Sequence, residues 1–212
     1  MPKVYTAREM FHKYAVDYQS KYMEQSMYHQ SFDLFCDSIP NENAEILEIA
    51  CGPGNITQYL LKKRPDFKIL GIDLAPNMIE LAKINNPAAA FQLMDCRDIA
   101  TLDKQYDGIM CGFCLPYLSK EESIQLIRDA ALRLRSGGVL YMSTMEDDYG
   151  KSGIQTNSGG DQLYMYFHQA DYLVQALEET SFNIIAIKRQ KFDANTVDLL
   201  IVARKETGVL AV

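Results

Sequence analysis

Two carboxylates and two glycines in the first half of the chain have the types and spacing that chemistry needs. In ILEIACGPGNIT, residues 46–57, Glu48 precedes a turn carrying Gly52 and Gly54. Asp73 follows about 20 residues after the glycines, in the stretch GIDLAPNM. Glycine in such a turn allows positive φ or lets another group come close. If the turn joins a strand to a helix, the first helical amides face an incoming ligand. A carboxylate spaced like Asp73 suits the paired hydroxyls of a ribose. The combination points to a nucleoside-type cofactor. A dinucleotide turn needs three glycines to seat a pyrophosphate, whereas here Ala50, Gly52 and Gly54 are followed by Ile56 and Thr57. No Gly-Lys-Ser/Thr follows, which argues against a nucleoside triphosphate.

The elements that must position these residues show in the apolar pattern. Strands are expected at Glu45–Ala50, Lys68–Ile72, Ala90–Leu93, Tyr106–Met110, Val139–Ser143, Asn183–Lys188 and Val197–Ala203. Helical stretches separate the first five, the pattern of a mostly parallel sheet covered on both faces. Only a short turn region, Gln190–Asn195, separates the last two, so they form an antiparallel hairpin. Capping-box pairs Thr6/Glu9 and Ser119/Glu122 open helices, Pro76 suits a first helical turn, and Gly137 lies where a helix ends. The Gly- and Ser-rich stretch Asp147–Asp161 reads as one long irregular segment and a candidate lid.

Composition bounds the function classes. Of 212 residues, 48% are hydrophobic and 23% charged, so a large core is available, and no apolar run reaches the roughly 20 residues that span a bilayer. A net charge of -7 with scattered basic residues argues against a nucleic-acid partner. The first ten residues have no secretory pattern, and five cysteines form no regular framework. These features lead us to expect a soluble cytoplasmic protein with no membrane partner.

With these features together, the sequence resembles the class I methyltransferases that use S-adenosylmethionine. The resemblance is close over about residues 10–145 and loose beyond. LEIACGPGN, GIDLAPNMIELA, QLMDCRDIA, YDGIMCGFCLPYL and LRSGGVLYMS match the family's motifs in order. The resemblance implies a single α/β domain: a Rossmann-like three-layer sandwich with a seven-stranded, mostly parallel sheet of order 3-2-1-4-5-7-6. An N-terminal helical lid would occupy residues 1–40 and a lid loop residues 147–165. It further implies that Glu48, Ala50, Gly52 and Gly54 line the methionine half of the cofactor and that Asp73 takes the ribose hydroxyls. Leu74 would pack on adenine, Asp95 and Cys96 would meet its edge, and Cys111 and Gly112 the amino-acid end. Tyr18 and Tyr22 are the lid tyrosines. The implied activity is methyl transfer to oxygen or nitrogen of a small molecule, leaving S-adenosylhomocysteine, in a monomer or homodimer with no metal. A non-catalytic cofactor-binding protein and a nicotinamide oxidoreductase are the alternatives.

Departures from the family pattern matter. Ala50 replaces a common glycine, Ala75 lacks a capping side chain, Pro116 stands where relatives carry His, and Thr180–Ser181–Phe182 lacks the usual glycine. His168, after the candidate lid, is the one side chain offered as a general base. His12 and His29 are read as packing or surface residues. The CGFC stretch, Cys111 to Cys114, has dithiol spacing, but no second pair completes a zinc site. Phe11, Tyr14, Tyr18, Tyr22 and Tyr28 form either a packing face or a stripe over a sulfonium centre. The acidic trio Glu146, Asp147 and Asp148 is either a solvated loop or an attraction for a cationic acceptor.

Overall fold

The computed structural model describes residues 3–157, 159–193 and 196–207. In chain order the elements are β1 (Val4–Tyr5), α1 (Ala7–Lys13), α2 (Ala15–Tyr22), α3 (His29–Asp37), β2 (Glu45–Ile49), α4 (Asn55–Lys63), β3 (Lys68–Asp73), α5 (Pro76–Asn85), β4 (Ala90–Leu93), β5 (Tyr106–Cys111), α6 (Lys120–Arg133), β6 (Leu134–Glu146), β7 (Gly153–Thr156), β8 (Gln162–Met165), α7 (Ala170–Glu179), β9 (Phe182–Lys191) and β10 (Val197–Lys205).

The main sheet runs β4-β3-β2-β5-β6-β10-β9. Its first five strands are parallel, and β10 is antiparallel to both β6 and β9. Counting these seven strands alone gives the expected order 3-2-1-4-5-7-6. Both faces are covered because the central strands carry apolar residues at consecutive positions. In β2, Leu47 belongs to the core under α6 and α7, whereas its neighbour Ile46 belongs to the core under α3 and α4. In β5, Ile109 and Met110 divide in the same way. Both capping boxes form, at Thr6/Glu9 and Ser119/Glu122.

Two differences from expectation concern the covers. The stretch read as irregular between Asp147 and Asp161 contains a short helical turn, Tyr149–Lys151, and β7. With β8, strand β7 forms an antiparallel hairpin, and β1 joins β8 in a separate three-stranded sheet. Its period-two signal is weak because much of the hairpin is exposed. Ser158 of this stretch, Met1 and Pro2 of the N-terminal region, and Ala194 and Asn195 of the last hairpin turn lie outside the described residues.

At the C-terminal end of α7, Ser181 takes a left-handed backbone, φ 62, a conformation that favours glycine. Its side chain is exposed, so the Cβ brings strain without a compensating contact. Ser181→Gly is expected to raise stability by about 0.5–1 kcal/mol, read as a small upward shift of the thermal midpoint by calorimetry.

Candidate functional site

The sheet reverses its winding at β2, and the turn after that strand is unusually contorted. Ala50, Gly52 and Gly54 all have positive φ, at 54, 54 and 81 degrees. Ala50 is the strained member, since an alanine there costs on the order of 1–3 kcal/mol. The turn is held by Asp73 at the end of β3. Its Oδ2 accepts from the Gly52 amide at 2.9 Å and its Oδ1 from the Ala75 amide at 2.8 Å. Asp73 thereby replaces the cap that Ala75 cannot supply to α5. Burial raises the Asp73 pKa above the usual carboxylate value, against the lowering effect of the amides at Ala75, Gly52 and Leu74.

The glycines do different things. A Cβ on Gly54 would meet Asn86 Nδ2 at 2.3 Å, and one on Gly112 would meet Ile56 Cδ1 at 2.4 Å. There the protein itself approaches. A Cβ on Gly52 would have its nearest neighbours, Asn55 and Tyr18, at 3.8 Å. Gly52 is therefore the open glycine, and it borders a cleft of about 780 Å³.

Eight of the residues expected from sequence line that cleft: Tyr18, Ala50, Gly52, Asp73, Leu74, Asp95, Cys96 and Gly112. Asp95 is bound by Arg97 through its Nε at 3.0 Å and a terminal nitrogen at 2.8 Å. Burial works against ionisation of Asp95, but the bonds from Arg97 prevail and hold its carboxyl below the usual range. Arg8, Phe11, Phe113 and Tyr117 also line the cleft and were not anticipated as site residues. Phe11 had been noted as one of an aromatic set, and it packs edge-on to Tyr18 and Tyr117 with centroids 5.7 and 5.0 Å away. Phe113 has φ 53, a strained position at the carboxyl end of β5, and its amide donates to Ser143 Oγ at 2.9 Å.

Five expected residues lie elsewhere. Gly54 packs against α5, and Cys111 is buried in β5. Tyr22 lines a second cleft of about 1180 Å³ between α1, α2 and the β7–β8 hairpin, which shares Phe11 and Tyr18 with the first. Glu48 is 1% exposed beneath the turn. Its Oε2 accepts from Thr57 Oγ1 at 2.5 Å, its Oε1 has no partner, and burial pushes its pKa up to about 8.

His168 is the clearest correction. It is fully buried, its Nε2 donates to the Leu115 carbonyl at 2.8 Å, and its Nδ1 pairs with the Tyr172 hydroxyl. Burial lowers its pKa and so favours the neutral ring, in which Nε2 donates and Nδ1 accepts from the Tyr172 hydroxyl. It fastens the turn after β5 to α7 and lines neither cleft, so the general-base reading is withdrawn. The acidic trio is also committed elsewhere. Glu146 pairs with Arg189, Asp147 with Lys151, and Asp148 accepts from the Gly150 amide. The CGFC thiols are unpaired by disulfides, and Cys114 instead contacts the thiols of Cys111 and Cys96. No metal-binding group of His, Cys, Asp or Glu occurs among the described residues. Tyr28, the last of the aromatic set, donates to buried Asp198 at 2.6 Å.

Residues 46–138 match the family model for a methyltransferase domain. Over that stretch the chain is similar to methyltransferase domains. Among curated relatives, the malonyl-[acyl-carrier protein] O-methyltransferase of Priestia megaterium is 34% identical over 58% of this chain and 44% of its own length. The trans-aconitate 2-methyltransferase of Variovorax paradoxus is 34% identical over 47% of this chain and 38% of its own. The match thus spans less than half of either relative. In fold, the chain is similar to the Burkholderia thailandensis 1,6-didemethyltoxoflavin-N1-methyltransferase, whose structure contains its substrate and S-adenosylhomocysteine. The TM-score is 0.71 at 20% identity, over 94% of this chain and 87% of the other.

The buried Glu48 makes stability depend on pH. Because its folded pKa lies above its unfolded value, the native state binds the extra proton. Its contribution is fullest below about pH 4.5 and is lost as pH rises through about 8. Glu48→Gln should flatten this fall. Thermal midpoints of the two proteins, measured from pH 5 to 9, should diverge upward with the variant the more stable at the alkaline end.

Proposed function

We propose that the protein transfers a methyl group from S-adenosylmethionine to an oxygen or nitrogen of a small molecule. The observation that carries this reading is Asp73, whose carboxylate is fixed by two backbone amides at the wall of a cleft that also contains open Gly52 and, farther along, Asp95. The residues present fit the cofactor. Each Asp73 oxygen retains accepting capacity for a ribose hydroxyl. Leu74, Met78 and Leu118 offer apolar surface for adenine, with Asp95 and Cys96 at its edge. Gly52 leaves room for the methionine chain, and the raised carboxyl of Glu48 lies beneath that turn.

Bound S-adenosylmethionine supplies a methyl group already activated on a sulfonium. The protein's task is then to hold two reactants in line, an effect that can reach about 7–11 kcal/mol. Phe11, Tyr18 and Tyr117 exclude water from the cleft and present aromatic surface, which favours a cationic centre. Since Phe11 and Tyr18 belong to both clefts, donor and acceptor would meet across them. The segments around them, residues 1–40 and 147–165, act in this reading as covers of a single domain. The acidic charge and scattered basic residues support work on a small molecule rather than nucleic acid. We place the protein in the cytoplasm, as a monomer or homodimer. No helix among the described residues is long and apolar enough to cross a membrane.

Asp73→Ala removes the two-hydroxyl contact and should weaken S-adenosylhomocysteine binding by about 10–100-fold. Isothermal calorimetry reads this, with a circular dichroism melt to confirm the fold. Unchanged affinity in a folded variant would sink the assignment.

A further inference from the structure

The second cleft, read on the methyl-transfer function proposed above, restricts the class of acceptor. Three tyrosines shape it: Tyr14, Tyr18 and Tyr22. Tyr18 and Tyr22 lie 4.6 Å apart between ring centroids. Phe11, Met10, Leu163 and Met165 supply the rest of its apolar wall. Stiff rings faced by adaptable thioethers make a slot suited to a flat conjugated ligand.

The slot has little charge with which to select an ion. Asp161 is the carboxylate on the hairpin side, and its Oδ2 accepts from Lys13 Nζ and from Tyr14 Oη, each at 2.5 Å. That charge is therefore answered within the protein. Asp17 and Lys21 lie one turn apart on α2, both exposed and of opposite sign. The remaining polar edge consists of neutral groups, Gln155, Thr156 and Asn157.

Among the described residues, no side chain at the junction of the two clefts is placed to take a proton at neutral pH. Asp73 is engaged by the amides of Gly52 and Ala75, and Asp95 by Arg97. Arg8 is a cation. The hydroxyls of Tyr18 and Tyr117 are pushed upward by burial, and the Cys96 and Cys114 thiols are raised first by their contacts with Cys114 and Cys111 respectively and then by burial. His168 is spent on Leu115 and Tyr172.

We infer that the acceptor is a flat, conjugated ring molecule whose methylated atom arrives already unprotonated, as a ring nitrogen lone pair or as an acidic ring hydroxyl that has lost its proton in solution. The acceptor's electron pair forms the new bond to the methyl carbon, and the carbon–sulfur bond breaks with its pair remaining on sulfur. S-adenosylhomocysteine leaves, the positive charge of the sulfonium is passed to or neutralised by the acceptor, and no proton is transferred to the protein. Aliphatic carboxylates and alkylamines gain nothing from the tyrosine slot, and an aliphatic alcohol or a protonated amine lacks a base to activate it.

The test uses the full chain saturated with S-adenosylhomocysteine. Nitrophenols, hydroxyquinolines and quinolines are compared with trans-aconitate, malonate and n-butylamine by thermal shift, and then with S-adenosylmethionine for turnover. Flat rings should stabilise the protein and become methylated. The pH midpoint of kcat/KM should follow each acceptor's own ionisation, moving upward from 4-nitrophenol to 4-chlorophenol. Tyr22→Ala should raise KM for the flat acceptor by about tenfold while S-adenosylhomocysteine affinity is retained. A midpoint that stays fixed across the acceptors would reveal an enzyme base and overturn the inference. So would a preference for the aliphatic compounds, or no response to any flat ring from protein that binds S-adenosylhomocysteine. Failure to bind S-adenosylhomocysteine at all would strike instead at the methyl-transfer reading.

Discussion

The Asp73 carboxylate, tied to the Gly52 amide on one side and the Ala75 amide on the other, is the joint between the two halves of the site. It draws the turn after β2 toward the end of β3, and the Cys51 amide bonded to the Ile72 carbonyl closes the same gap. Without that connection the left-handed run through Ala50, Gly52 and Gly54 would have to be held by local preference alone, and Ala50 opposes it. The strain is held by surrounding structure. Asn86 reaches from the end of α5 to the Gly54 carbonyl at 2.9 Å, so the helix that Asp73 caps also braces the turn that Asp73 holds.

The covers depend on a second, looser connection. Asp161 at the start of β8's approach joins Lys13 and Tyr14, so the hairpin and the first two helices are linked at a single carboxylate. These groups are partly exposed, and such a pair is worth little by itself. What it does is geometric: the hairpin bears on the helices that carry Phe11 and Tyr18, the residues common to both clefts. The same two rings thus form part of the wall of both clefts.

Much of this was legible in the sequence because parallel strands buried on both faces read as unbroken apolar runs, and the ordered motifs fixed their succession. Asp73, Gly52 and the Asp95–Cys96 edge were legible for the same reason, as residues at the ends of those runs. What was missed depended on distance in the chain. Phe113 and Tyr117 lie within the motif YDGIMCGFCLPYL but enter the cleft through a strained turn. Arg8 and Phe11 come from a helix roughly 65 residues before the strand end it covers, a pairing that no local pattern encodes. His168 misled because its position after the candidate lid fits a base equally well as a fastener. Only the carbonyl of Leu115 and the hydroxyl of Tyr172 decide between the two.

The fate of Gly54 shows the same limit from the other side. From sequence, two glycines in one turn read as clearing space for one ligand. In the fold, Gly54 is cleared for Asn86 and Ala82, whereas Gly52 has no protein atom nearer than 3.8 Å to a built Cβ. Glycine identity records that something approaches but not what does. Of the two turn glycines, Gly52 is therefore the one that borders open space, beside the Asp73 carboxylate held by two backbone segments. On the function proposed above, the donor's hydroxyls would meet acceptors already fixed by the Gly52 and Ala75 amides, so little of the site would reorganise on binding.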